Sequence, residues 1–277
     1  MNSPPKLLSR FRKLYQKRFA FRCIVLAVTV VLFFAAPGQF DVIYGFNCFR
    51  KFSVFDLLWL CWMLDMVMQL IPSAKFWPLG SQKFFKSAFR PNQNIPAALK
   101  ENAQKLVEET LQPLKSHLER TNSGLLEFII KSNRDTLKVG LVWFGLTAVI
   151  GVLYFTGVIN GNVLMLLSVA FYVCDLICVL FWCPFRVWFM KNRCCTTCRI
   201  FNWDHIMMFS PIIFIPGFYT WTLCLAALIV FMVWEITFAL HPERFWEGTN
   251  SALSCGNCTD QLCGQRNCRV DLGGISD

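Results

Sequence analysis

Cys255, Cys258, Cys263 and Cys268 stand within fourteen residues near the C-terminus, spaced C-x2-C-x4-C-x4-C. A short polar tail cannot bury thiols as small hydrophobes, so four together bind metal, bridge to one another or react. A second group, Cys194, Cys195 and Cys198, lies in another polar segment. Thiolate metal sites hold zinc at about 2.3 Å, and a C-x2-C turn aims two side chains at one ion. Iron–sulfur clusters are held by cysteine thiolates in a similar way. The tail cysteines would fill such a site alone. Cys195 and Cys198 with Cys255 and Cys258 would instead make the paired C-x2-C of a zinc ribbon, with Cys263, Cys268, Cys194 and His205 as further ligands. The expected cofactor is an iron–sulfur cluster or zinc, because the spacing does not choose between them. Two disulfides, or a redox-active dithiol, are the alternatives for the tail. For Cys194, Cys195 and Cys198 the alternative is S-palmitoylation or inert interfacial thiols. His205 reads more simply as an interfacial residue than as a ligand.

The second chemical signal is acid inside apolar runs. Asp65 lies in the run 54–71, Asp175 near the middle of 163–185, and Glu235 in the last run. Ionisable groups at such depth are costly and point to function, with partners inside a helical bundle. The structural alternative is a protonated carboxyl hydrogen-bonded to a neighbouring helix. Asp56 and Glu235 are close enough to run ends to reach an interface. Cys174 and Cys178 flank Asp175, one helical turn apart.

These residues must be positioned by membrane-type elements. The chain has 277 residues, 55% hydrophobic and 16% charged, against about 45–50% apolar and about 25% charged in soluble domains. The apolar residues fall in long runs at 19–36, 54–71, 139–158, 163–185 and 212–240, and a span needs about 17–25 residues. The fold class expected is therefore an all-α integral membrane protein with about five transmembrane helices. The first run, with basic residues before it, also fits a cleaved secretory signal, but Arg22 interrupts it and the uncleaved span is the better reading.

Lysine and arginine set the expected direction. Seven basic residues and no acid occupy 1–22, eleven occupy 72–138 and four occupy 186–205, while the other connections hold two or none. The positive-inside rule then places the N-terminus, 72–138 and 186–205 in the cytosol of a plasma membrane. The +10 charge is thus topological, and nucleic acid is not an expected partner. The segment 206–240 is too long for one span, and Pro211 and Pro216 break it into an interfacial or re-entrant piece and a last helix. An interfacial piece leaves the tail outside, whereas a re-entrant piece puts both cysteine groups in the cytosol. The organisation expected is a basic terminus (1–18), two helices (19–71), a cytosolic amphipathic segment (72–138), two helices (139–185), a cysteine loop (186–205), the interrupted segment with the last helix (206–240) and the tail (241–277).

Within 97–138, leucines recur at three- and four-residue steps, with Pro113 as a kink and Thr121 to Gly124 as a break, which predicts a helical hairpin. Trp59, Trp62, Trp182, Trp188, Trp203 and Trp246 lie near run ends and read as interfacial anchors. No G-x-G-x-x-G, P-loop or H-E-x-x-H is present, so nucleotide and zincin chemistry have no support and no catalytic residue is assigned. The leading functional expectation is membrane-associated redox or electron transfer at a cysteine-ligated centre. A transporter or channel-like bundle working through Asp65 and Asp175 is the alternative, and an interaction scaffold is a third. The expected partners are the lipid bilayer and a redox partner, or a second copy through 97–138.

Overall fold

A backbone surrounded by apolar groups must satisfy its own hydrogen bonds, and the Val-, Leu-, Ile- and Phe-rich runs do so as helices. A computed structural model of the chain describes residues 10–46, 53–72, 80–91 and 107–254, together with 257 and 262. Among these residues the fold is all-α, with two isolated bridges and no strand. The α-helices are α1 (Arg10–Ala35), α2 (Val54–Leu70), α3 (Val107–Phe155), α4 (Gly161–Leu180), α5 (Asp204–Phe209) and α6 (Phe218–Leu240). Four of them, α1, α3, α4 and α6, are long and apolar enough to cross a membrane. The remaining run, 54–71, forms the 17-residue α2, about 25 Å long at about 1.5 Å per residue.

Local chemistry sets the helix starts. Ser53 and Asp56 form a capping box at α2, with the Ser53 N–H donating to Asp56 Oδ2 at 2.6 Å. The Asn160 side chain accepts the Val163 N–H at 3.1 Å to open α4. α6 begins after Gly217, where an added Cβ would lie 2.2 Å from the Ile43 carbonyl oxygen. Only glycine allows that approach, and Gly45 beside it takes φ +82°.

Contacts fix the direction of each element. Beyond the end of α1, Phe40 packs on Phe55 at the start of α2 at 4.9 Å, and the Gly45 N–H donates to Pro216 just before α6. The Tyr44 hydroxyl meets Asn162 at the start of α4, and Phe155 at the end of α3 meets Phe214. These ends share one face. The opposite face carries the start of α1 and is called the N-terminal face below. From it, α5 and the 3-10 turn Ser210–Phe214 run inward with His205, Met208, Phe209, Pro211 and Ile212 buried. This is the proline-interrupted segment expected before the last helix, and it lies within the bundle.

Because α6 then runs back, the chain returns to the N-terminal face. There Phe245 stacks on Phe84 at 4.4 Å, the Ser251 N–H donates to the Arg90 carbonyl at 2.8 Å, and Leu262 packs with Tyr15 and Leu176. The base of the tail and the Cys194–Cys198 loop therefore lie on one face.

The hairpin expected within 97–138 is not formed. α3 continues through Pro113 and Gly124 as a single helix of 49 residues, while 97–106 lie outside the described residues. Gly124 faces the Trp246 ring, which would lie 2.9 Å from an added Cβ. Packing on that ring overrides the break its sequence predicts. Trp62 also differs from expectation. It is 1% exposed and packs edge-on against Tyr172 and Phe209 in the main core. Phe34, Phe144, Leu225 and similar side chains point outward, and such a belt suits lipid contact.

Candidate functional site

The acids selected from the sequence are brought together by an arginine from a distant helix. Arg22 of α1 is 8% exposed. Its Nη1 donates to Asp175 Oδ2 at 2.6 Å and to the Tyr172 carbonyl at 2.7 Å. Its Nη2 lies 3.7 Å from Asp65 Oδ2, and its guanidinium sits 4.0 Å over the Tyr172 ring. His205 continues the chain of charges. Its Nδ1 is 3.0 Å from Asp204 Oδ1, and its Nε2 is 3.7 Å from Asp65 Oδ2. Gln69 of α2 donates to Asp204 at 3.2 Å. One network thus joins α1, α2, α4 and α5.

The network is charge-dense. Three carboxylates, Asp65, Asp175 and Asp204, face Arg22 and His205. A small cavity of about 30 Å³ between them is also bordered by Arg18, Gln69 and Ser81, which is space for about one water. Gln69 Oε1 and Ser81 Oγ are buried without a hydrogen-bond partner. Each is an acceptor left for a small polar or cationic guest.

His205 is therefore not interfacial, as the sequence suggested. It is 4% exposed and wedged between two carboxylates. Asp56 likewise does not reach an interface. It is 2% exposed, caps α2 and accepts the Tyr219 hydroxyl proton. Glu235 stays apart from the network. It pairs with Arg199 and accepts the Trp203 indole N–H at 2.8 Å, while Arg199 lies 3.7 Å over the Phe238 ring and bonds Asn133. That cluster ties the cysteine loop to α3 and α6.

The thiols gather on the other side of Asp175. Cys183, just beyond α4, lies beside Cys178 and Cys195 and accepts the Arg186 N–H at 3.4 Å, while Cys195 Sγ donates to the Cys178 carbonyl at 3.1 Å. The close approach of these groups holds the Cys183 thiol well below the ordinary cysteine range and pushes Cys195 up. Burial pushes Cys198 up to about 12. Cys198 packs with Val139 and Ile200, and Cys194 Sγ lies 3.2 Å from Thr196 Oγ1. Cys195 thus bonds back to the end of α4 through the Cys178 carbonyl. Among the described residues no group of three His, Cys, Asp or Glu side chains is arranged to hold a metal. Cys255, Cys258, Cys263 and Cys268 lie outside the described residues.

Two residues central to this geometry had weak sequence signals. Arg22 shows only as a cation inside an apolar run, and Cys183 only as the thiol of Trp182-Cys183-Pro184 at the end of α4. Comparison with protein-family models, curated proteins and solved structures finds no match for the chain.

Proposed function

We propose that this chain is a multi-pass protein of the plasma membrane, N-terminus cytosolic, that exchanges protons for a small monovalent cation at the network of Asp65, Asp204 and His205. The observation that carries the reading is three half-buried carboxylates around one imidazole, the side chain of the network that can hold and release a proton. With His205 protonated, Arg18, Arg22 and His205 match Asp65, Asp175 and Asp204 in charge. Loss of that proton leaves one carboxylate unbalanced beside the open acceptors Gln69 Oε1 and Ser81 Oγ. Oxygen donors of this kind suit a hard cation, which would replace the lost charge. Arg22 keeps Asp175 and Asp65 in place, and the basic residues of the N-terminal face support its cytosolic side.

The test is flux in proteoliposomes containing the purified chain. An inward cation gradient should drive proton movement that Asp65→Asn and Asp175→Asn abolish. Transport unchanged in both folded variants rejects the reading.

A second reading, a cysteine-ligated iron–sulfur or zinc centre serving electron transfer with a redox partner, is supported by the base of the tail, Leu262 included, lying on the same face as the Cys194–Cys198 loop. Cys255, Cys258, Cys263 and Cys268 would be its ligands, with Cys194, Cys195 and Cys198 nearby. Anaerobic purification followed by metal analysis tests it. Metal content unchanged in Cys255→Ser/Cys258→Ser rejects it.

A further inference from the structure

Beside the thiol cluster lies a cavity of about 350 Å³, lined mainly by apolar side chains that include Trp143, Phe171, Trp182, Phe185, Met207 and Met208. It runs along α4 between α3 and α5. Ile177 and Trp182 at its edge are exposed on the outer surface, so the cavity meets the apolar belt. Its N-terminal-face end is lined by Cys178, Cys183, Cys195 and Cys198, with Arg186 beside them. An apolar slot that ends on a nucleophile is suited to a long alkyl chain carrying an electrophilic head.

We infer that Cys183 accepts a long-chain acyl group from an acyl thioester such as acyl-coenzyme A, and that the chain lodges in this cavity. The Cys183 sulfur attacks the thioester carbonyl. A new carbon–sulfur bond forms, the bond to coenzyme A breaks, and coenzyme A leaves as the thiol with the proton Cys183 gave up. The Arg186 N–H faces the sulfur at 3.4 Å, and the sulfur borders the cavity end. Arg186, Lys191 and Arg193 make this face basic, which complements the phosphates of coenzyme A. The sequence directed attention to Cys194–Cys198 as acylated thiols; the cavity directs it to Cys183. The filled cavity would also cover Asp175 and Asp204, which border it.

The experiment is incubation of the full-length protein in detergent with palmitoyl-coenzyme A, followed by intact and peptide mass spectrometry with and without hydroxylamine. The expected result is one hydroxylamine-sensitive acyl group mapped to Cys183 in the unmodified sequence, so the assignment does not depend on any variant folding. Cys183→Ser should lose it. Met207→Trp, which fills the cavity and leaves the thiol in place, should lose most of it while Cys183 still reacts with iodoacetamide. Acylation at Cys194 or Cys195 with Cys183 free, no acylation at all, a Cys183–Cys195 disulfide in its place, or labelling indifferent to Met207→Trp would each overturn the inference.

Discussion

Asp175 and Cys178 lie three residues apart on α4 and belong to centres built in opposite ways. The charge network is assembled from four helices, and its central bond joins residues 153 positions apart. The thiol cluster is assembled from Cys178, Cys183 and Cys195, a stretch that turns back on itself at the end of α4. The first centre exists only when the bundle has closed, so its integrity reports the whole fold. The second is local and borders a cavity, so it can change chemically while the fold stays intact.

Variants that sharpen this contrast should rank accordingly. Arg22→Leu should cost most. It leaves Asp175 and Asp65 half-buried without their shared cation, and breaking an ion pair in this way costs up to about 3–5 kcal/mol. Thermal unfolding in detergent measures it, and a midpoint equal to that of the parent would show that the network does not hold the bundle together. Tyr219→Phe should cost less, about 1–3 kcal/mol, by leaving Asp56 short of one donor inside the core. An Asp56→Asn change in the same background should then have a smaller effect than it has alone. Glu235→Gln should also cost about 1–3 kcal/mol, because Arg199 keeps only a neutral acceptor. It should leave cation-driven proton flux in place, since Glu235 stands outside the network.

The smallest effect on stability belongs to the thiols, where reactivity is the readout. Cys183 is held below the usual thiol range and keeps its thiolate as pH falls. Its alkylation rate should therefore decline only at acidic pH, while Cys198, pushed up to about 12 by burial, stays inert through neutral pH. A Cys183 profile that falls below pH 9 like that of an ordinary cysteine would break the distinction between the two centres.

The sequence made the helices legible because apolar runs have one solution away from water. It also marked Asp65 and Asp175, since charge inside such a run has no ordinary explanation. It could not pair them. Arg22 looked like the end of a basic leader, and His205 looked interfacial, because partner identity is decided by packing between helices distant in sequence. The same limit hid Trp62 in the core and carried α3 through Thr121 to Gly124, where the deciding contact is Trp246. For the thiols, spacing drew attention to Cys195 with Cys198, and the fold adds the end of α4, with Cys195 Sγ 3.1 Å from the Cys178 carbonyl.

The most direct test of the central claim is proton release from the purified protein in weakly buffered detergent on addition of sodium or potassium. Cation binding beside Asp65 and Asp204 should displace the His205 proton, giving stoichiometric acidification in the parent and none in His205→Gln. Absence of cation-dependent release from the folded parent, or release that persists in His205→Gln, would contradict the account.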